Sequence, residues 1–96
     1  MIVVRAVTQA KFGKADELVQ LIKERNAMFP IGRTTRIMTD ASGPFFSVVT
    51  ETEFESFAAY EAAAQEFFND PRFGAWFERM VPLVESGQRE FYTLVE

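Results

Sequence analysis

The 96-residue sequence contains no cysteine and no histidine. Without cysteine it has no disulfide, no thiolate nucleophile, and no thiolate ligand for zinc or an iron–sulfur cluster. Without histidine it lacks the commonest metal ligand and the usual general base near neutral pH. Its five glycines stand singly, so no glycine-rich phosphate loop is present. We therefore expect no metal site and no bound cofactor.

Long hydrophobic runs and an excess of positive charge are also missing. No apolar run approaches the roughly 18 residues of a membrane-spanning helix, and residues 1–10 lack the features of a signal peptide, which favours a cytoplasmic location. Ten basic against fourteen acidic residues give a net charge of −4, so we expect neither nucleic acid nor a membrane as a partner. Because 48% of the residues are apolar, we expect one folded domain over residues 1–96.

Aromatic residues are abundant, with eleven Phe, two Tyr and one Trp. A domain of this size has a small core, and large aromatic side chains in excess of it usually lie at an interface or in a pocket. This composition predicts association with a second chain.

The first half of the sequence predicts two strands and a helix before a third strand. Residues 2–8 are rich in β-branched residues on both alternating faces, so this strand should be covered on both sides. Residues 15–28 have the apolar stripe of a surface helix, which Pro30 and Gly32 should end. Residues 33–51 predict a β-hairpin around a turn at 40–44.

The second half predicts two helices and a last strand. Thr52 and Glu55 match a capping box, which predicts a helix beginning near Glu53. Apolar residues at helical spacing continue to Asn69, after which Asp70 should cap a third helix. That helix should contain Phe73, Trp76, Phe77, Met80, Val81 and Val84, bend at Pro82 and end at Ser86-Gly87. Residues 89–95 predict the closing strand.

This order of elements, βαββααβ, is typical of an α+β ferredoxin-like sandwich, in which helices pack on one face of a four-stranded antiparallel sheet. The other sheet face, which includes Val3 and Val7, then needs cover. An identical sheet from a second copy would provide it, so the pattern predicts a two-fold symmetric homodimer with its sheets face to face.

The segments KFGKADELVQLIKE, FGAWFERMVPLVESG and REFYTLV, together with the hairpin, resemble the dimeric α/β barrel superfamily, and within it NIPSNAP-type proteins most. The resemblance covers nearly the whole chain and implies a dimeric α/β barrel. That superfamily includes cofactor-independent monooxygenases of polycyclic aromatic substrates, haem-degrading enzymes, stress-response barrels and members without an assigned activity. Its haem-handling branches bind iron through a histidine, and this chain has none, so the resemblance does not extend to haem binding.

Arg5, Arg36 and Glu51 form the first candidate site. If Asp40 pairs with Phe45 in the hairpin, Arg36 and Glu51 share a sheet face and meet diagonally. They then either line an apolar cavity, where they orient a carbonyl or phenolate of a ligand, or form an ion pair at the dimer interface or sheet edge.

An aromatic group on the last two helices forms the second candidate site. Helices rich in aromatic residues that face one sheet can leave a flat apolar slot for a planar ligand, and the resembled monooxygenases hold their substrate in such a space. The alternative is plain core packing. The residues are Trp76, Phe73, Phe77 and Tyr60, with Phe67 and Phe68 beside them.

No motif marks a catalytic residue, so two functions stay open. The first is oxidation or rearrangement of a small aromatic compound without a bound cofactor. The second is a non-enzymatic role, either as a ligand carrier or as an assembly protein whose slot is filled by side chains. A pocket beside Trp76 with a polar group on its wall favours the first, and a solidly packed slot favours the second.

Overall fold

The computed structural model describes residues 1–29 and 32–96, apart from the side chains of Thr34 and Thr35. Pro30, predicted to help end the first helix, lies outside the described residues. The elements are β1 (Ile2–Ala10), α1 (Ala15–Met28), β2 (Arg33–Thr39), β3 (Ser47–Phe54), α2 (Phe57–Asn69), α3 (Arg72–Met80), a 3₁₀ turn (Val81–Leu83) and β4 (Val84–Thr93). None of the helices in the described ranges is long and apolar enough to cross a membrane.

The four strands form one sheet in the order β2-β3-β1-β4, and every neighbouring pair is antiparallel. This topology confirms the predicted α+β ferredoxin-like sandwich with a four-stranded antiparallel sheet. The predicted limits of α1 and β2 agree with the structure at both ends. The apolar stripe of α1 and the Thr, Ile and Met content of β2 are local features of the sequence, which explains the agreement.

The sheet has two unlike faces. On the first, the helices bury Ile2, Val4 and Ala10 of β1, each no more than 7% exposed. Leu18 of α1 packs there against Val48 of β3, and both are 1% exposed. We call the other side the open face; it carries the odd-numbered residues of β1 and β3 and the even-numbered residues of β4 from 86 to 92.

The hairpin is confirmed, but its register differs from the predicted one. Asp40 pairs with Ser47 instead of Phe45: its N–H donates to Ser47 O over 3.2 Å, and its Oδ1 accepts from Ser47 N over 3.1 Å. The carboxylate thus closes a longer loop, and Arg36 lies directly opposite Glu51. Because the shift is an even number of residues, the predicted sharing of a face by Arg36 and Glu51 is correct.

The predicted capping box at Thr52 and Glu55 is wrong. β3 continues through Thr52, which pairs with Val4 of β1, to Phe54. Burial of Phe54 against β1 stabilises the longer strand. Helix α2 begins after Ser56, whose Oγ accepts a hydrogen bond of 3.1 Å from Ala59 N.

The predicted end of the third helix is also wrong. α3 ends at Met80, and Pro82 lies in the 3₁₀ turn, where its missing N–H breaks no helical hydrogen bond. Val84, predicted on the helix, begins β4 and pairs with Ala10. Ser86 and Gly87 lie inside β4 because β1 offers pairing positions along its whole length.

The predicted capping role of Asp70 is confirmed. Its Oδ1 accepts a hydrogen bond of 2.8 Å from Arg72 N, and its Oδ2 lies 2.9 Å from Arg72 Nη2. The side-chain hydrogen bond from Arg72, followed by the backbone one, lowers the pKa of Asp70 from 3.8 to about 2. A negative charge at this helix start also suits the helix dipole.

We therefore expect Asp70→Asn to lower the melting temperature at pH 5 and to lower it much less at pH 2. A carboxyl group with a lowered folded-state pKa stabilises the protein above its unfolded pKa of 3.8, and this stabilisation is lost as the pH falls through about 2. Thermal unfolding followed by circular dichroism from pH 5 to pH 2 measures the difference. Glu78→Gln, at an exposed position of α3, is the control for simple loss of charge. A melting difference that is constant over this pH range would contradict the assignment.

Candidate functional site

Trp76 lies in a tightly packed cluster between the helices. It is 5% exposed, and its Nε1 donates a hydrogen bond of 2.9 Å to Leu21 O on α1. The ring centroids of Phe67 and Phe73 lie 6.1 and 6.3 Å from that of Trp76. Most of the indole therefore serves as core, joining α1, α2 and α3.

Two adjoining spaces lie between these helices and the sheet. The first, which we call the inner cavity, has a volume of about 110 Å³ and is lined by Val4, Thr50 and Tyr60 among others. The second, which we call the outer groove, is more open, has a volume of about 510 Å³, and is lined by Trp76 and Phe77 among others. The two share the lining residues Ala6, Arg25, Phe67, Phe68 and Arg89.

The structure brings the second candidate set together around these two spaces. Tyr60 lines the inner cavity, while Phe73, Trp76 and Phe77 line the outer groove. Phe77 is 42% exposed, and its ring centroid lies 5.5 Å from that of Phe73. The aromatic stripe is thus core on the Trp76 side and groove wall on the Phe77 side.

Arg5, Arg36 and Glu51 lie on the open face, across the sheet from both spaces. Glu51 pairs in register with Arg36 on one side and Arg5 on the other, and Arg5 pairs with Glu90. The ion-pair distances are 3.8 Å from Arg36 Nε to Glu51, 3.9 Å from Arg5 Nε to Glu51, and 3.0 Å from Arg5 Nη1 to Glu90. We call this line of alternating charges over four strands the charged row.

The two charged side chains that line both spaces, Arg25 and Arg89, were not predicted from the sequence. Arg25 Nη2 donates to Asn26 Oδ1 over 3.1 Å, and the Arg25 guanidinium carbon lies 5.7 Å from the Trp76 ring centroid. Burial lowers the pKa of Arg25, and the positive charge of Arg89 lowers it further. Both arginines line both spaces.

A signal for Arg25 was present in the sequence. It follows Leu18, Leu21 and Ile22 at helical spacing, so it continues the buried stripe of α1. The signal for Arg89 is weaker. Alternation along β4 places Arg89 and Phe91 on one face of the strand and the residues between them on the other, but it does not show which face lies against the helices. Among the described residues, no group of three or more acidic side chains is placed to hold a metal ion.

Comparison with known proteins identifies the family of this fold. The NIPSNAP family model matches residues 6–96. An uncharacterized NIPSNAP domain protein from Burkholderia xenovorans has a TM-score of 0.90 at 22% identity, over 99% of this chain and 95% of that one. A NIPSNAP family protein from Agrobacterium tumefaciens has a TM-score of 0.86 at 22% identity, over 96% of this chain and 90% of that one.

The fold extends beyond that family. A protein from Nitrosomonas europaea, provisionally described as an antibiotic biosynthesis monooxygenase, has a TM-score of 0.74 at 13% identity, over 100% of both chains. Identities this low establish a shared fold alone. No curated protein matches this chain in sequence.

Proposed function

Because the chain belongs to the NIPSNAP family, whose model matches residues 6–96, we propose that it is a homodimeric protein that binds a small, planar aromatic compound. The observation that carries this proposal is the outer groove, whose wall combines exposed aromatic rings with polar side chains. Ligand sites generally combine apolar walls with a few polar groups that fix the orientation of the ligand.

The size and lining of the two spaces support a planar ligand. The outer groove and the inner cavity share five lining residues, so a ligand ring in the groove can extend a substituent toward Tyr60. Phe68, at the border of the two spaces, is 53% exposed. Burying such a ring against a ligand stabilises the complex by stacking and by removal of apolar surface from water. An assembly protein with a filled slot would not need this open groove.

The homodimer is supported by the open face of the sheet. Val3 and Val7 lie there half-buried, without a described helix over them. The charged row alternates in sign, so a copy related by a two-fold axis can present opposite charges to it.

We expect sedimentation equilibrium at micromolar concentration to give the mass of two chains, and a monomer would contradict this part of the proposal.

Oxidation of the bound compound by O₂ is the second candidate function. It is favoured by the fold shared with the Nitrosomonas europaea protein and by polar groups beside Trp76. For an anthrone, one oxygen atom of O₂ would enter the ring CH₂ to form a carbonyl, and the other would leave as water. Oxygen uptake on addition of a bound anthrone supports oxidation, whereas binding without uptake supports a carrier.

We expect a bound aromatic ligand to quench or shift the emission of Trp76, the single tryptophan. Titration with quinones, flavonoids, anthrones and fatty acids should give a saturable change for one of the aromatic classes. Phe68→Ala should weaken that binding by about 0.5–1.5 kcal/mol, or roughly 2- to 12-fold, because one aromatic contact is lost.

Phe12→Ala is the matched control for this titration, because Phe12 is also an exposed phenylalanine, at 79%, and lines neither space. Its affinity for the ligand should equal that of the unmodified protein. The proposed ligand site is wrong if no aromatic compound changes the emission, or if both variants weaken binding equally.

A further inference from the structure

Two arginines differ from all the others in their surroundings. The chain has seven arginines, and five of them form ion pairs with carboxylates: Arg5, Arg33, Arg36, Arg72 and Arg79. Arg25 and Arg89 belong to none of the ion pairs among residues 1–29 and 32–96. Both line the inner cavity and the outer groove.

The two unpaired guanidinium groups lie close enough to repel each other, with Arg25 half-buried and Arg89 exposed. Arg25 is half-buried, and its guanidinium donates to the neutral Asn26 amide oxygen and lies over the face of Trp76. Its pKa is lowered by burial and by the charge of Arg89. Bringing two like charges together, one of them half-buried, costs free energy unless an opposite charge compensates them. Acidic side chains outnumber basic ones in this chain, whose net charge is −4. None of the described acidic side chains forms an ion pair with either of these two arginines.

We propose that Arg25 and Arg89 together bind the carboxylate of a planar aromatic acid, whose ring lies against the aromatic wall of the outer groove. This inference rests on the proposed ligand-binding function and names the class of ligand. A carboxylate can accept paired hydrogen bonds from the planar guanidinium fork. The aromatic wall, formed by Phe68, Phe73 and Phe77, takes the uncharged part of the same molecule.

The lining of the site favours one carboxylate over a phosphate ester. Phosphate sites usually add backbone N–H groups of a glycine-rich loop or a helix start to their cationic side chains. Here the cationic groups stand among aromatic, aliphatic and neutral polar side chains, and Gly87 is the one glycine in the lining among the described residues. A singly charged group on a flat ring fits that combination of two cations and several aromatic rings.

The test compares 2-naphthoate with 2-naphthamide, which share a ring system and differ in charge. Isothermal titration calorimetry of the full chain should give at least about tenfold tighter binding of 2-naphthoate, equal to about 1.4 kcal/mol. Arg89→Gln should reduce this preference to less than about threefold. Arg25→Gln is a second variant with the same expectation for the preference.

Lys23→Gln is the matched control, because Lys23 is exposed on α1 and its loss changes the net charge equally. This variant should keep the full preference for 2-naphthoate. The same loss of preference in Lys23→Gln and Arg89→Gln would overturn the inference in favour of a general charge effect.

The outcomes also separate this inference from the proposed function. Equal binding of both compounds by the unmodified protein overturns the arginine site while leaving an aromatic ligand site in place. Binding of neither compound contradicts both. Circular dichroism spectra of Arg25→Gln and Arg89→Gln check that each variant is folded before its preference is measured.

Discussion

Val7→Asp is expected to dissociate the proposed homodimer. Val7 lies in the middle of β1 on the open face, with Val49 on one side and Gln88 on the other. A second sheet packed over it would bury an unpaired carboxylate at a cost of several kcal/mol. We expect the dissociation constant of the dimer to rise by about 100-fold or more, which corresponds to about 2.7 kcal/mol. Sedimentation velocity over a range of concentrations measures the change.

Gln65→Glu is the control for the added negative charge, because Gln65 is exposed on α2, away from the open face. It should sediment as the unmodified protein does. Circular dichroism shows whether the Val7→Asp monomer stays folded. If Val7→Asp retains the dimer with an unchanged dissociation constant, the open face is not the interface.

The two faces of β1, on which the prediction about Val7 depends, could be distinguished from the local sequence pattern. Alternation along β1 separates Ile2 and Val4 from Val3 and Val7, and the structure places the first pair against the helices and the second on the open face. Both pairs are apolar, so the sequence indicated a strand covered on two sides. Which pair faces the helices depends on contacts with residues far along the chain.

Local motifs failed where distant strand pairing competed with them. Thr52 and Glu55 fit a capping box, but pairing of Thr52 with Val4 in β1 extends the strand past it. Ser86 and Gly87 look like the end of a helix, but Gly87 pairs with Thr8 inside the sheet. In both places the ladder hydrogen bonds and the burial they permit outweigh a local preference worth about 1 kcal/mol.

The candidate site was predictable only in part, because local spacing shows which residues share a stripe but not what packs against that stripe. Helical spacing placed Trp76 and Phe73 on one stripe, which is where the packed cluster and the outer groove meet. The spacing does not show where the cluster ends and the groove begins, because that depends on how far α2 and α3 lie from the sheet. Arg25 and Arg89 were missed because isolated charged residues usually lie in solvent. The sequence also does not show that they are close together, since this depends on how α1 packs against β4 in the folded protein.

Trp76→Ala should lower the free energy of unfolding by about 3–5 kcal/mol, because it removes the largest side chain of the cluster between the helices. The indole is 5% exposed, and its Nε1 donates to Leu21 O, so the loss combines apolar burial with a hydrogen bond. Urea unfolding followed by circular dichroism, at a fixed protein concentration because dimerisation shifts stability, measures it. Phe77→Ala, on the exposed side of the same helix at 42%, should cost about 1 kcal/mol.

Trp76→Phe separates the core role of Trp76 from its position in the groove wall. Phenylalanine keeps an aromatic ring between α1 and α3 but cannot donate to Leu21 O, so the fold should persist with a loss of about 1–2 kcal/mol. If the ligand contacts Trp76, its affinity measured by calorimetry should change by about 0.5–1.5 kcal/mol in this variant. Unchanged ligand affinity together with the full loss of stability in Trp76→Ala would make Trp76 a core residue alone. A loss below about 1 kcal/mol in Trp76→Ala would contradict the packing described here.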